Sequence, residues 1–257
     1  MTQRTINGDM KMAGLIHLDP RLLPVINRFG IRLGFGDQSI DEVCRSFNVD
    51  TRFFLEIVNA FHDEKYFPAS HLQQFDAGMI INYLSATHHY YLEVKVPELQ
   101  LLIDRLVENT GPEHRNTSEL LSSFFSNYVA ELKDHLKLEE QGTFPYVLSL
   151  QRQLDGIVQE SGTEKLNEEY SMYEFIEEHS NLEDQLLDLK NIIIKYIDSP
   201  LNSNLCNKIL DALFQLESDL RDHARIEDKV LVPKVKMMEK KLTASKSRSG
   251  SSNLQNE

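Results

Sequence analysis

The sequence predicts an all-α protein, in which an up-down-up-down four-helix bundle follows a small three-helix domain. Apolar residues recur at alternating intervals of four and three over long stretches, which is the spacing of helices that bury one face in a bundle. Turn residues, among them Gly111-Pro112 and Ser199-Pro200, separate these stretches. Long helices joined by short turns pack with their neighbours antiparallel, and the bundle topology follows from this.

The small domain is expected over residues 1–70. Residues 1–19 lack periodicity, and a first short helix or turn is expected to follow them. Ser39 and Glu42 have the spacing of a capping box, which starts the second helix. Apolar spacing that ends near Phe61 predicts the third helix. The segment therefore has enough apolar faces for a small helical unit of its own.

The bundle is expected over residues 71–242. Pro97 interrupts the first bundle helix and is expected to kink it. Beyond residue 242 the composition turns to Ser, Lys, Asn and Gly without apolar spacing, so residues 243–257 are expected to be disordered. The four predicted bundle helices span residues 75–107, 118–154, 164–197 and 203–242.

Composition and charge limit the classes of function. The chain has 257 residues, of which 41% are apolar, so it can bury a sizeable core. Its formal net charge of -13 argues against a nucleic-acid partner or an anionic membrane surface, and no apolar run approaches a membrane span. The N-terminus shows no signal pattern, and Cys44 and Cys206 fit buried free thiols in a reducing compartment. We therefore expect a cytoplasmic protein without nucleic-acid or membrane partners.

A short motif occurs twice on the predicted bundle helices. His135 is followed four residues later by Glu139, and His223 is followed four residues later by Glu227. Residues i and i+4 share a helix face, so each pair can reach one point beside its helix. Both pairs continue the apolar stripe of their helix, where an uncompensated carboxylate is costly. Imidazole nitrogen and carboxylate oxygen converging on one point indicate a metal site.

The other two helices each offer a histidine to the same point. His179 lies in the apolar stripe of the third helix. On the first helix, the stripe through Leu92 and Val96 favours His89 over the adjacent His88. If both glutamates bridge, each of two metals receives two nitrogens and two oxygens, which leaves positions open for a solvent bridge and an exogenous ligand. The predicted metal ligands are His89, His135, Glu139, His179, His223 and Glu227.

The ligand types narrow the choice of metal. Bridging carboxylates with nitrogen-rich ligands suit iron or manganese, whereas structural zinc closes a tetrahedral site, usually with thiolates. The ferritin-like pattern Glu-x-x-His is not the one present, because the chain carries His-x-x-x-Glu. Glu93 and Glu183 each lie four residues after a candidate histidine and could be extra ligands. The favoured interpretation is that both are solvated charges on helix faces.

These residues resemble the hemerythrin-like cation-binding domain. The resemblance rests on the six predicted ligands. Further segments are similar to the iron-sulfur cluster repair (RIC) group of that family and to its small ScdA-like N-terminal domain: Val96-Pro97-Glu98-Leu99, Phe29-Gly30-Ile31 and Ser39-Ile40-Asp41-Glu42-Val43-Cys44. The resemblance implies a hemerythrin-like bundle with two iron ions in an oxo- or hydroxo-bridged, non-haem centre. It also implies a role in nitrosative or oxidative stress.

One departure from that group concerns thiols. The group carries adjacent cysteines in its N-terminal domain, where this chain has Leu33-Gly34-Phe35-Gly36. Thiol chemistry by such a pair is therefore not expected here. The leading hypothesis is a di-iron protein that supports cluster repair by binding or delivering iron, with iron-sulfur proteins as clients. The alternatives are a reversible binder or sensor of O2 or NO, and a helical scaffold without metal; whether the chain is an enzyme stays open.

Overall fold

The computed structural model describes residues 5–112, 115–156, 172–197 and 203–252. Within this part of the chain, the side chains of residues 172–181 and 246–252 are outside the description. The regular elements of the described residues are helices, and one isolated β-bridge joins Lys11 to Ser39. The protein is a helical bundle of the predicted all-α class.

Short helices fill the N-terminal region. The capping box is present, because the Glu42 backbone N–H donates to Ser39 Oγ at 3.2 Å and the Ser39 N–H donates to Glu42 Oε2 at 2.7 Å. A helix before residue 19 was not expected, since its seven residues are too few to show a period. The helices are α1 (Met12–Leu18), α2 (Leu22–Arg28), α3 (Ile40–Ser46), α4 (Thr51–His62) and α5 (Ala69–Leu72).

Four long helical segments follow and form the bundle. α7 and α10 each pack against both α8 and α11, so the four segments close into a ring. The last segment continues as a helix to Ser252, where residues 243–257 were expected to be disordered; residues 253–257 lie outside the described residues. The bundle helices are α6 (Ala77–Tyr90), α7 (Val96–Glu108), α8 (Arg115–Leu138), α9 (Phe144–Leu154), α10 (Met172–Tyr196), α11 (Ser203–Ile226) and α12 (Val232–Ser252).

Wider π-helical turns join α6 to α7, α8 to α9 and α11 to α12. Within the described residues these turns span Tyr91–Lys95, Glu139–Thr143 and Glu227–Leu231. In each, the next residue donates its backbone N–H to the carbonyl five residues back. A proline is the second residue after each turn, at Pro97, Pro145 or Pro233. A proline ring clashes with the carbonyl four residues back in an α-helix, and the wider turn is a known way to accommodate such an irregularity.

Two apolar clusters divide the interior. The first contains the core of the N-terminal helices together with apolar residues of α6, α9, the Glu227–Leu231 turn and α12. The second contains the cores of α7, α8, α10 and α11. Along each of three bundle segments the change from one cluster to the other falls where the π turn begins. Polar side chains can therefore gather at this level of the bundle without interrupting either cluster.

A buried ion pair links α2 to the bundle. Arg28, whose side chain is 1% exposed, donates from Nη1 to Asp219 Oδ1 at 2.9 Å and from Nη2 to the other carboxylate oxygen. Its guanidinium also lies 4.8 Å from the centre of the Tyr90 ring. The N-terminal helices thus share both an apolar cluster and a buried charge pair with the bundle.

Among the described helices, none combines the length and the apolar character that crossing a membrane requires.

Candidate metal centre

Four buried side chains converge at the level where the two apolar clusters meet. His88, Glu139, His223 and Glu227 each offer one ligand atom, and these atoms all lie within 4.8 Å of one another. The Nε2 atoms of His88 and His223 are 3.2 Å apart. His88 Nε2 lies 3.0 Å from Glu139 Oε2, and His223 Nε2 lies 3.0 Å from Glu227 Oε1. The group combines two imidazoles with two carboxylates from three bundle segments.

His135 extends the group on the second bundle segment. Its Nε2 atom lies 3.0 Å from Glu139 Oε1, across one turn of helix. Glu139 thus touches His88 with one oxygen and His135 with the other. A carboxylate contacted on both oxygens by imidazoles from different helices has the placement of a bridging ligand.

The structure corrects the expectation for the first bundle helix. His89 lies at the surface with its side chain 68% exposed, and its Nε2 atom pairs with Glu93 at 2.9 Å. His88 faces the group instead, with its side chain 4% exposed. The prediction of His89 assumed regular α-helical spacing from Val96 back to residue 89. The Tyr91–Lys95 π turn adds one residue to that interval, which moves the inward position back to residue 88.

The remaining predicted candidates have different outcomes. The side chain of His179 lies outside the described residues, although its backbone belongs to α10. Glu93 is on the surface with His89. Glu183 is exposed, and with Leu136 and Leu182 it lines a small cavity that also touches His135 and His223.

The electrostatics of the group favour a cation. Glu139 is 1% exposed and Glu227 is 0% exposed, and imidazoles contact both carboxylates. Burial disfavours a charged imidazole, yet the carboxylates of Glu139 and Glu140 outweigh this and raise the pKa of His88 to about 9. A positive charge is thus strongly favoured beside these carboxylates. A metal ion bound by the same atoms would supply it, so the residues present fit a metal.

Two neighbours of His88 were not found from the sequence. Glu140 Oε1 lies 2.8 Å from His88 Nδ1, and this hydrogen bond is the main cause that lowers the pKa of Glu140. The ring of Phe144 stacks on the imidazole with 5.3 Å between centroids and 16° between planes. The only sequence signal for Glu140 was its place beside Glu139, which also fits a solvated helix face.

Comparison with known proteins agrees with the geometry. The profile of the hemerythrin HHE cation-binding domain matches residues 81–235, which is more than half of the chain and includes every residue of the buried group. A search of curated proteins finds no match to the chain. The four-segment bundle, the buried group of histidines and glutamates, and this match together show that the chain belongs to the hemerythrin HHE cation-binding family.

Proposed function

We propose that this chain is a non-haem di-iron protein whose ligands are His88, His135, Glu139, His223 and Glu227, together with His179. The observation that carries the proposal is the convergence of buried imidazoles and carboxylates, with all ligand atoms of four residues within 4.8 Å of one another. Bound iron would supply one-electron redox chemistry and open coordination positions. The chain would supply terminal imidazoles and two carboxylates to bridge the metals.

The repeated motif supports two metals rather than one. Each copy gives one imidazole and one carboxylate with an Nε2–O separation of 3.0 Å. Six ligands exceed what one iron with an open position requires, whereas two irons that share Glu139 and Glu227 use all of them. An oxo or hydroxo bridge would complete such a centre.

We propose a role in nitrosative or oxidative stress, in which the chain binds or delivers iron to support iron-sulfur cluster repair. The resemblance of the Val96–Leu99 segment and the N-terminal region to the RIC group supports this role. Because Leu33-Gly34-Phe35-Gly36 replaces the cysteine pair of that group, the N-terminal region offers no thiol there. Iron-sulfur proteins would be the clients, and the iron centre rather than a thiol would bind or deliver the iron for their repair.

A second candidate is reversible binding or sensing of O2 or NO. The observation that favours it is a cavity of about 20 Å³ against His135 and His223. Its walls include Leu136, Leu182 and Leu220, so a small uncharged molecule fits it better than a large or charged one. The volume is about that of one water molecule.

The two candidates differ in measurable reactions of the iron-loaded protein. For cluster repair, a nitric-oxide-damaged iron-sulfur enzyme should regain activity with the wild-type chain and not with a Glu139→Gln/Glu227→Gln variant. For gas binding, stopped-flow mixing with O2 should give a stable new visible band that disappears when O2 is removed. Rapid oxidation without such a band would rule out carriage, and no recovery of the damaged enzyme would rule out repair.

We also propose that the protein acts in the cytoplasm. Cys44 and Cys206 are both buried and free, and burial raises the pKa of the Cys44 thiol to about 11. Unpaired buried cysteines are typical of a reducing compartment. Fractionation of cells that express the tagged chain would test this, and recovery outside the cytoplasmic fraction would contradict it.

A further inference from the structure

The imidazole of His88 is held on two sides by the same segment of chain. Its Nε2 atom faces Glu139 at 3.0 Å, and its Nδ1 atom faces Glu140 at 2.8 Å. These two glutamates are consecutive residues at the start of the Glu139–Thr143 π turn. A π turn holds more residues than an α turn, so successive side chains diverge less around the axis. This brings both carboxylates to one imidazole.

The contact of Glu140 differs in kind from that of Glu139. The side chain of Glu140 is 41% exposed, whereas that of Glu139 is 1% exposed. Nε2 is the atom directed at the metal group, so a metal would replace the proton on that nitrogen. The Nδ1 proton would remain and donate to Glu140. The Phe144 ring stacks on the imidazole of His88 and limits the rotation of that imidazole.

The facing histidine lacks this arrangement. Among the described residues, His223 Nδ1 is buried and has no hydrogen-bond partner. The two imidazoles whose Nε2 atoms meet at 3.2 Å are therefore unequal as donors. A carboxylate that accepts from the second nitrogen of a ligating imidazole raises its basicity and fixes its tautomer and its ring orientation.

We infer that Glu140 is a positioning residue of the metal centre, which acts through His88 by fixing its ring and raising its basicity as a ligand. This inference rests on the proposed function, since it takes His88 as a ligand. The negative charge of Glu140, carried through the imidazole, favours Fe(III) over Fe(II) at the metal that His88 binds.

The test is Glu140→Gln in the full-length protein, because glutamine keeps the size and the hydrogen-bond acceptor but removes the charge. Glu93→Gln is the matched control, since Glu93 also pairs with a histidine of the first bundle segment, but at the surface. We expect Glu140→Gln to weaken metal binding about tenfold in chelator competition. If that loss falls on Fe(III), the midpoint potential rises by about 59 mV, which is the equivalent of tenfold for one electron. Glu93→Gln should leave both unchanged.

A second measurement separates positioning from a purely structural role. Nitrogen NMR of the metal-free protein should show a strongly hydrogen-bonded His88 Nδ1 proton in the wild type and a more weakly hydrogen-bonded one in Glu140→Gln. Both metal-free proteins should unfold in urea in a single cooperative transition, which shows that Glu140→Gln is folded. A Glu140→Gln protein with wild-type potential and affinity, or a Glu93→Gln protein that shifts equally, would overturn the inference alone. A wild-type protein that binds no iron would overturn the proposed function as well.

Discussion

His88 and His89 show how one residue of register decides which side chain reaches the centre. The two repeated His–Glu pairs could be placed from the sequence, because each lies within or at the end of a regular α-helical stretch where i and i+4 share a face. The first helix could not be placed in the same way. Apolar spacing counted back from Val96 crosses a π turn that such counting cannot detect, and it ends on the wrong histidine.

Replacing each of these two histidines by alanine tests directly which one binds the metal. His88→Ala should remove a buried donor of the group and lower the iron content of the anaerobically reconstituted protein. His89→Ala should leave the iron content unchanged, because its imidazole is at the surface with Glu93. Iron per chain is measured by atomic spectroscopy after desalting. Equal iron in both variants, or a loss in His89→Ala alone, would contradict the assignment of His88.

The π turns are the feature of the helical elements that connects sequence to site. Each begins at a buried residue facing the interior, namely Tyr91, Glu139 or Glu227. A sequence signal for them did exist. A proline stands six residues after each of these positions, and comparing all three prolines would have placed Tyr91 at the level of the two glutamates.

Deletion of one residue from the first π turn tests its role. Without the exposed Val94, Val96 comes seven positions after His88, which is about two α-helical turns, so His88 should stay on the inner face. Pro97 would then clash inside a regular helix at a cost of about 3 kcal/mol. We expect the deletion to lower the free energy of unfolding by about that amount while iron binding remains.

Pro97→Ala in the same protein is the matched second change. It should restore most of the lost stability, as measured by urea unfolding, because alanine has neither the ring nor the missing N–H. If the deletion abolished iron binding even with Pro97→Ala, the π turn would be needed to place His88 and not only to accommodate the proline.

At the scale of the whole molecule, the N-terminal helices and the bundle are joined by the Arg28–Asp219 pair. Asp219 lies one helical turn before His223 on α11, so this junction adjoins the buried group. From the sequence, the all-α class and the bundle could be predicted, because they depend on local spacing. This pair could not, since its residues are 191 positions apart and nothing in local spacing relates them.

Removing Asp219 should lower the free energy of unfolding more than removing Arg28. Asp219→Ala leaves a buried guanidinium without its carboxylate and should cost about 3 kcal/mol or more. Arg28→Met leaves a carboxylate that is 17% exposed and that water can reach, so its cost should be smaller. The double variant should be at least as stable as Asp219→Ala alone. Urea unfolding of the four proteins measures this, and strictly additive costs would show that the pair does not join the two regions.

The central claim is that the buried histidines and glutamates bind iron, and iron content tests it most directly. The wild-type chain is reconstituted anaerobically with Fe(II), desalted and compared with Glu139→Gln/Glu227→Gln. A Glu93→Gln/Glu183→Gln protein is the control, because it loses two exposed carboxylates from the first and third bundle segments. We expect two irons per chain in the wild type and the control, and far fewer in the first variant. A wild type with far fewer than two irons, or a Glu139→Gln/Glu227→Gln protein with wild-type content, would contradict the claim.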